Sequence, residues 1–497
     1  MPSEITPHPP THPQPVLPAP LALDAVALSQ AIHRRELSCV ELMQATLGHI
    51  ERFNPQVNAI VAALEPEGLL AQARERDEQL GRGQSLGALH GFPQAPKDIA
   101  PAAGLITTRG SPLFKGQRTR TDAQVFARMR EAGAVFIGRT NSPEFGLGGH
   151  TYNSVYGATG GAFDPTRSAG GSSGGAAAAV ALHLLPVADG SDMMGSLRTP
   201  AAFNHVFGFR PSLGCVPQGP ADEVFFQQFG VSGPMARNVP DLGLLLSVQA
   251  GFDARQPLTR QQDASVYAGP LGRDFKGTRI GWLGDLGGHL ATEPGVLPLC
   301  EQALRHFESV GCTVEPALPQ ADFERVWQAW LDLRSFTVSG NYAPLYDDPQ
   351  RRAQLKPEAV WEIERGLALT GPQLFRASAV RSAWYQALRA LFERFDYLVL
   401  PSAQVFPFEL AQHWPAQVGG RAMDTYHRWM EVVIAATMGG LPALSVPAGL
   451  GGPQGRWPVG LQIIGPAQAD WAVLQMGHAY DQAGGFSKVR SPVLLAG

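Results

Sequence analysis

Apolar residues first recur at a helical spacing shortly after residue 38. Ser38 and Glu41 stand in the order of a capping box, in which each side chain bonds the other residue's backbone N–H. The apolar positions that follow lie three or four residues apart, at Val40, Met43, Leu47, Ile50 and Phe53. This spacing predicts an amphipathic helix with one buried face.

A helical pattern followed by a short apolar run occurs twice more. One helix is predicted to open at Thr121-Asp122 and to end at Gly133, before a buried strand over 135–138. A second helix over 296–310 precedes Gly311 and a strand over 312–314. Other short apolar runs predict strands over 280–283, 397–400, 444–446 and 461–464. Alternating strands and helices predict an α/β fold, with one large domain over 21–497 and a mixed sheet covered by helices on both faces.

The stretch over about 315–395 differs from the rest, because its pattern is helical and it is rich in large aromatic residues. Such residues are usually core. The alternative is a helical cap whose aromatic side lines the opening to a substrate site. The sequence leaves both readings open for Trp327, Trp330, Phe336, Tyr342, Trp361, Trp384 and Tyr385.

Composition and charge narrow the function classes. The 497 residues are 44% hydrophobic and 16% charged, with a net charge of −4, so no basic field exists to hold a nucleic-acid backbone. No run of about 18 apolar residues occurs, which argues against a membrane-spanning protein. The four cysteines show no CxxC spacing, and this predicts a reducing, cytoplasmic setting without disulfides or structural zinc. Residues 1–20 are rich in proline and are predicted to form a disordered tail rather than a signal peptide.

Two glycine-rich segments carry the candidate chemistry. Ser172 lies in the segment 170–176, GGSSGGA, and Ser196 lies in 190–198, GSDMMGSLR. Lys97 follows Pro96 in an apolar stretch, where burial away from carboxylates would lower its pKa and make it a usable base. Amide hydrolysis by serine needs an activated hydroxyl, donors for the oxyanion and a proton for the leaving nitrogen. Each residue alone is weak evidence, and the combination carries the prediction.

Other motif readings fit less well. Gly171-Ser172-Ser173-Gly174-Gly175 formally matches the G-x-S-x-G nucleophile elbow, but the residues before it have the composition of a loop, not of the strand an elbow needs. A phosphate-binding loop would place Lys-Ser or Lys-Thr after the glycines, and none occurs. The histidines lack metal-ligand spacing, so neither a metal nor another cofactor is predicted.

Four further segments extend the pattern to a known family. The segment 138–146, GRTNSPEFG, is similar to a family motif G-K-T-N-x-P-E-F, and 233–237, GPMAR, matches another. The segments 440–447, GLPALSVP, and 458–465, PVGLQIIG, resemble C-terminal core strands of the same family. From about Leu21 to its end, the chain resembles an amidase signature hydrolase.

The resemblance implies a role for each matching residue. Ser196 would be the nucleophile, Ser172 a bridging serine after a cis peptide bond, and Lys97 the general base, giving a Ser-Ser-Lys triad and an acyl-enzyme. Asp192 and Arg198 would brace the loop. The backbone N–H groups of four residues would form the oxyanion hole: Met193, Met194, Gly195 and Ser196.

One departure from the family concerns this hole, because the usual G-S-D-T-G-G-S-I-R reads GSDMMGSLR here. Met194 cannot easily adopt a positive φ, and its side chain would narrow the acyl pocket. In the unusual segment 220–229, Phe225, Phe226 and Phe229 are predicted to wall an apolar substrate pocket.

The substrate class and the assembly stay open at this stage. The expected substrate is a small amide, with an anilide, a carbamate, an ester or a nylon-type amide as options, and a homodimer is one possible assembly. The alternative function is that of an amidotransferase A-type subunit or a non-catalytic assembly protein, which would require a partner chain.

Overall fold

The computed structural model describes residues 17–226 and 228–495. The predicted disordered tail therefore lies outside the described residues except for 17–20, and the first helix begins inside that range, at Ala19. Within the described ranges, none of the helices is both long and apolar enough to cross a membrane.

An eight-stranded mixed sheet forms the centre of the described chain. Its strands are β1 (Ala188–Asp192), β2 (Phe207–Arg210), β3 (Val231–Ala236), β4 (Arg279–Trp282), β5 (Thr313–Pro316), β6 (Tyr397–Pro401), β7 (Ala443–Gly451) and β8 (Trp457–Ile464). The spatial order is β5-β4-β6-β8-β7-β2-β3-β1. β4 pairs in parallel with β5 and β6, and the other neighbours pair antiparallel.

Helices surround this sheet. They are α1 (Ala19–Ala22), α2 (Ala25–His33), α3 (Cys39–Val57), α4 (Pro66–Gly81), α5 (Gln124–Glu131), α6 (Gly174–Ala181), α7 (Arg198–Asn204), α8 (Val239–Gln249), α9 (Val296–Ala303), α10 (Arg305–Ser309), α11 (Phe323–Tyr346), α12 (Pro349–Arg352), α13 (Pro357–Leu367), α14 (Gly371–Phe392), α15 (Ile434–Gly439) and α16 (Asp470–Gly484). Two-residue strand pairs and short 3₁₀ turns connect them.

Alternation along the strands explains why both faces of the sheet are covered. In β6, Tyr397 and Val399 belong to one buried cluster, whereas Leu398 and Leu400 belong to another. Successive side chains of a strand point to opposite faces, so each cluster packs one face against helices. The predicted mixed sheet with two covered faces is confirmed.

The predicted elements mostly exist, with shifted ends. The capping box at Ser38 and Glu41 is present at the start of α3. The helix predicted to open at Thr121-Asp122 begins only at Gln124, because Asp122 instead accepts the Ala103 N–H at 2.7 Å and pairs with Arg130 at 2.9 Å. The helix predicted over 296–310 is divided at Leu304 into α9 and α10.

Most of the aromatic region over 315–395 is helical. Trp327, Trp330 and Trp384 are buried in the core. Phe336 and Tyr342, both in α11, line the cavity that contains Ser172 and Ser196.

Candidate active site

Lys97 is held by its backbone before its side chain makes any contact. Its N–H donates to both carboxylate oxygens of Asp189, in β1, at 3.3 Å. Its carbonyl accepts a hydrogen bond from Arg139 at 2.7 Å. The residue is 1% exposed. These anchors fix where the amine is delivered.

The amine of Lys97 meets three serine hydroxyls. Nζ lies 2.7 Å from Oγ of Ser172, 2.8 Å from Oγ of Ser173 and 3.1 Å from Oγ of Ser191. Ser172 and Ser173 immediately precede α6, and Ser191 belongs to β1. An amine nitrogen bonded to one carbon has room for three hydrogen-bond partners, so the three serines satisfy the hydrogen-bonding capacity of Lys97 Nζ.

Glycine is needed beside these serines because α6 starts against the chain at Asn141. A methyl group on Gly175 would lie 2.4 Å from the Asn141 backbone nitrogen, which backbone atoms cannot relieve. The Gly171–Ser172 peptide bond is cis, as the family resemblance implied.

Burial sets the charge of Lys97 at neutral pH. Burial lowers the pKa of the ammonium to about 7, although the negative charges of Asp189 and Asp192 act to raise it. The lysine is therefore not buried away from carboxylates as the sequence argument required, yet desolvation still dominates. Burial also raises the pKa of the Asp189 carboxyl to about 6, against the lowering effects of the Lys97 N–H and of Arg139.

Ser196 lies in the turn between β1 and α7 and is 7% exposed. Its carbonyl accepts the N–H of Ser173 at 3.2 Å, which ties this turn to the serine pair near Lys97. Ser172, Ser191 and Ser196 all line one cavity of about 670 Å³. The structure thus brings together the predicted lysine and both predicted serines.

Asp192 is the centre of a buried network beneath the Ser196 turn. Its carboxylate accepts N–H groups from Gly195 at 2.9 Å and Leu197 at 3.3 Å, and it pairs with Arg198 at 2.9 Å and Arg210 at 3.1 Å. Burial acts to raise the pKa of this carboxyl, but the two guanidinium charges outweigh it and hold the pKa well below its usual range. Asp192 therefore pairs with Arg210 as well as with the predicted partner Arg198.

Arg198 extends the network to the central sheet. It donates to the Val433 carbonyl at 2.8 Å and to Oε1 of Gln462, in β8, at 2.7 Å. The Ser196 turn is consequently connected to the central sheet by hydrogen bonds at both ends.

The predicted oxyanion donors differ in availability. The Gly195 N–H points at Asp192 and is taken by its carboxylate, so Gly195 is a poor candidate and this prediction is corrected. Within the described residues, no backbone or side-chain acceptor is bonded to the N–H groups of Met193, Met194 or Ser196. These three remain candidates.

The concern about φ at Met194 is resolved by Gly195. The left-handed conformation falls on Gly195, with φ of 78°, and Met194 is absent from the non-glycine residues with positive φ. Met194 is 2% exposed and packs in the core cluster beside the cavity, which both Met193 and Met194 line.

The predicted phenylalanine wall is only partly present. Phe226 lines the cavity and packs edge-on against Phe336 at 5.7 Å between ring centroids. Phe225 is 62% exposed and is not among the lining residues. Phe229 is buried between Trp330 and the Arg381 guanidinium. Phe225 and Phe229 are therefore not part of the lining of this cavity, whereas Phe226 is.

The competing motif readings find no support in the geometry. Within the described residues, no strand ends immediately before Ser173, as a nucleophile elbow requires. The Ser173 side chain is also buried against Lys97, so the arrangement is not a nucleophile elbow. His150 is bonded to Ser168 and the Leu410 carbonyl, away from the serines. Over 17–226 and 228–495, no three His, Cys, Asp or Glu side chains are grouped to hold a metal ion.

Sequence reasoning missed four residues of this site: Ser173, Ser191, Asp189 and Arg210. Ser191 and Asp189 alternate with Gly190 along β1, a strand that was itself not predicted. Their position one residue either side of a glycine, just before Asp192, was the available signal. Arg210 had none, because it reaches Asp192 only through the pairing of strands distant in sequence.

Comparisons with known proteins agree with this geometry. A family model described as Amidase matches residues 41–474. The chain is 34% identical over 462 residues to an acylamidase of Rhodococcus erythropolis, covering 91% of this chain and 94% of that one. It is 32% identical over 479 residues to the A-type subunit of the glutamyl-tRNA(Gln) amidotransferase of Methylococcus capsulatus, covering 92% and 96%. A bacterial aryl acylamidase of the amidase signature enzymes superposes with a TM-score of 0.88 at 28% identity, covering 94% and 97%.

These matches extend over nearly the whole of both chains, and the family motifs fall inside the matched range. Similarity of that extent shows common descent, not a shared local motif. The chain therefore belongs to the amidase signature family, as its motifs predicted, and is an amidase, a hydrolase of amide C–N bonds.

Proposed function

We propose that the chain hydrolyses small amides by a Ser-Ser-Lys mechanism, with Ser196 as nucleophile, Ser172 as proton bridge and Lys97 as general base. The observation that carries this proposal is the 2.7 Å hydrogen bond between Lys97 Nζ and Ser172 Oγ beside the cavity that Ser196 lines. Within that cavity's described lining no histidine occurs, and Lys97 is the basic side chain in contact with Ser172.

The hydrogen bonds around Lys97 are compatible with a neutral amine that accepts a proton. A neutral amine has two N–H donors and one lone pair, so one of its three serine partners must donate to it. The Ser173 hydroxyl is directed at the Ser191 carbonyl, at 3.4 Å, so Ser173 accepts from Lys97. The lone pair is then left for Ser172 or Ser191, and Ser172 is the closer.

In the proposed first half-reaction, Ser196 forms a bond to the amide carbon, the C–N bond breaks, and the proton of Ser196 is passed on to the leaving nitrogen. Ser196 Oγ attacks the amide carbon while its proton passes to Ser172 Oγ, whose own proton passes to Lys97 Nζ. The carbonyl oxygen becomes an oxyanion, which the N–H groups of Met193, Met194 and Ser196 can stabilise. When the C–N bond breaks, the proton returns from Lys97 through Ser172 to the leaving nitrogen, and an acyl-Ser196 ester remains.

In the second half-reaction water takes the place of the amine. Ser172 and Lys97 accept the proton of the attacking water, the oxyanion forms again, and Ser196 leaves with the returned proton. The carboxylic acid product is released and the enzyme is restored. The same three side chains serve both halves.

The cavity lining favours substrates with an apolar acyl or aryl part. Apolar and aromatic side chains predominate around the serines: Ile99, Phe145, Leu147, Met193, Met194, Phe226, Phe336, Tyr342 and Met430. Apolar surface of this kind binds acyl chains and rings by excluding water. The relatives named acylamidase and aryl acylamidase support acyl amides and anilides as the first substrates to assay.

The amidotransferase alternative has one specific observation in its favour, namely the 32% identity to the A-type subunit of a tRNA amidotransferase. It predicts glutamine as the preferred substrate and a requirement for a partner chain. The lining of the cavity combines apolar side chains with polar ones such as Arg109 and Gln218, so the substrate panel decides between the two functions.

The test is a substrate panel assayed with purified protein alone. An acyl anilide, an aliphatic amide, a cyclic amide, a carbamate, an ester and glutamine are compared by kcat/KM, with Ser196→Ala and the matched neighbour Ser173→Ala. We expect turnover of apolar amides that Ser196→Ala abolishes and Ser173→Ala reduces less. Preferred hydrolysis of glutamine, or activity that survives in Ser196→Ala, would overturn the proposal.

A further inference from the structure

A second and larger cavity lies apart from the active site. It has a volume of about 1120 Å³ and shares no lining residue with the cavity that contains Ser172 and Ser196. Its wall includes four cationic side chains, Arg237, Arg305, Lys488 and Arg490, and we call it the basic cavity. Arg237 follows β3 and Arg305 opens α10, so distant parts of the chain supply its charge.

The positive charge of the basic cavity is only partly offset by acids, because the charges of Asp24 and Asp241 act on Arg237 without forming an ion pair with it. Over the described residues, none of the four cationic side chains lies within 4.0 Å of a carboxylate. Asp24 is the one acidic side chain among the described lining residues, and it caps α2 by accepting the N–H of Ala27 at 2.8 Å. The chain as a whole has a net charge of −4, so four cationic side chains around one cavity are a local excess of positive charge.

Arg237 is bonded to carbonyl groups only. It donates to the Val180 carbonyl at 3.2 Å, to Leu185 at 3.1 Å and to Leu23 at 3.4 Å. Burial lowers its pKa to about 10, the charge of Asp241 opposes that, and the charge of Arg490 lowers the pKa further. Arg237 and Arg490 are thus close enough to repel each other.

Arg490 is oriented by a neutral group. It donates from Nη1 to Nε2 of His183 at 2.9 Å, and Nδ1 of the same ring lies 2.9 Å from the Leu21 carbonyl. A carbonyl only accepts, so Nδ1 carries the proton, and Nε2 accepts from Arg490. The imidazole therefore holds the guanidinium in place without cancelling its charge.

We propose that the basic cavity binds a small anion that carries a phosphoryl group. Gathering like charges around one cavity costs free energy that a bound anion would recover. A phosphoryl group concentrates negative charge on one centre and offers several acceptor oxygens, which suits guanidinium and ammonium donors from different elements. The volume exceeds that of a phosphate ion and accommodates a small metabolite attached to it.

The probe for this site is pyrophosphate, titrated by calorimetry and by thermal unfolding at ionic strength held constant with sodium chloride. We expect saturable binding to the full chain and a rise in Tm. Removing one charge-assisted contact should weaken binding by about tenfold, so Arg490→Gln and Arg305→Gln should each raise Kd by about that factor. Arg305 is exposed, so its variant also guards against misfolding at Arg490.

Two further variants serve as controls. Arg376→Gln removes the same charge from an exposed position of α14 outside the cavity wall and should bind like the wild type. Ser196→Ala should also bind pyrophosphate normally, which separates this site from the proposed active site. The proposal is overturned if the wild type shows no binding beyond the sodium chloride control, or if Arg490→Gln and Arg305→Gln bind as tightly as the wild type.

Discussion

Replacing Asp189 by asparagine tests whether Lys97 works as a neutral base. Asparagine keeps an oxygen that can accept the Lys97 N–H but removes a charge that raises the pKa of the lysine. Activity needs the neutral amine, so kcat/KM should increase with pH up to a plateau above the lysine pKa of about 7. Without the carboxylate this pKa falls, so the acid limb of the profile should move to lower pH.

The size of the shift follows from Coulomb's law. Two unit charges about 6 Å apart interact by about 3 kcal/mol at an effective dielectric constant of about 20, and we take this as the scale of the interaction between the Lys97 amine and the Asp189 carboxylate. That energy corresponds to about two pKa units. Because Asp189 itself takes up a proton near pH 6, we expect a shift of about one unit.

The assay measures kcat/KM between pH 5 and pH 9 with the best amide from the panel. At pH 6 the fraction of maximal activity should increase from about one tenth in the wild type to about one half in Asp189→Asn. Asp424→Asn, which removes a surface carboxylate, is the control and should leave the limb in place. A limb that stays at the same pH or moves to higher pH in folded Asp189→Asn would refute the reasoning.

Three other variants probe the same site. Gly195→Ala should destabilise the chain and lower kcat, because φ at this position is 78° and the new Cβ would lie 2.8 Å from the Val433 methyl groups; unfolding and kcat are measured together, and wild-type values for both would contradict this. Met194→Gly should increase kcat/KM for a bulky acyl amide relative to a short one. It should also lower the free energy of unfolding by about 2–5 kcal/mol, more than the added backbone flexibility alone would, because the Met194 side chain is buried. An equal loss of kcat/KM for both substrates would mean that Met194 orders the oxyanion hole. Lys97→Ala and Ser172→Ala should each lower kcat by at least about 10²-fold, and the double variant little further, because they act as one unit; additive losses would separate their roles.

The sequence predicted best where a single segment carries the information. The capping box predicted the start of α3, and short apolar runs located parts of β6, β7 and β8, although β7 continues five residues beyond its run and β8 begins four residues before its run. It failed at β1, β2 and β3, and the sequences of β1 and β3, ADGSD and VSGPMA, contain residues that are poor strand formers. Burial in the centre of the molecule overrides that local preference.

The same division holds for the site. Lys97, Ser172 and Ser196 could be singled out because two glycine-rich segments contain the serines and an apolar stretch contains the lysine, and the structure places Lys97 against Ser172. Ser191 could not, since its contact with Lys97 depends on β1 lying beside the serine turn. Phe225 and Phe229 were wrongly predicted to line the cavity, because an apolar run does not reveal which side chain is turned to solvent, to core or to the cavity.

Labelling with a fluorophosphonate tests whether Ser196 is the residue that forms the covalent acyl-enzyme. The purified chain is treated with a fluorophosphonate, digested, and examined by mass spectrometry for the modified residue. The account predicts one adduct, on Ser196, which forms faster as the pH rises through about 7 and is absent from Lys97→Ala. An adduct on Ser173 or Ser172 instead of Ser196 would contradict it.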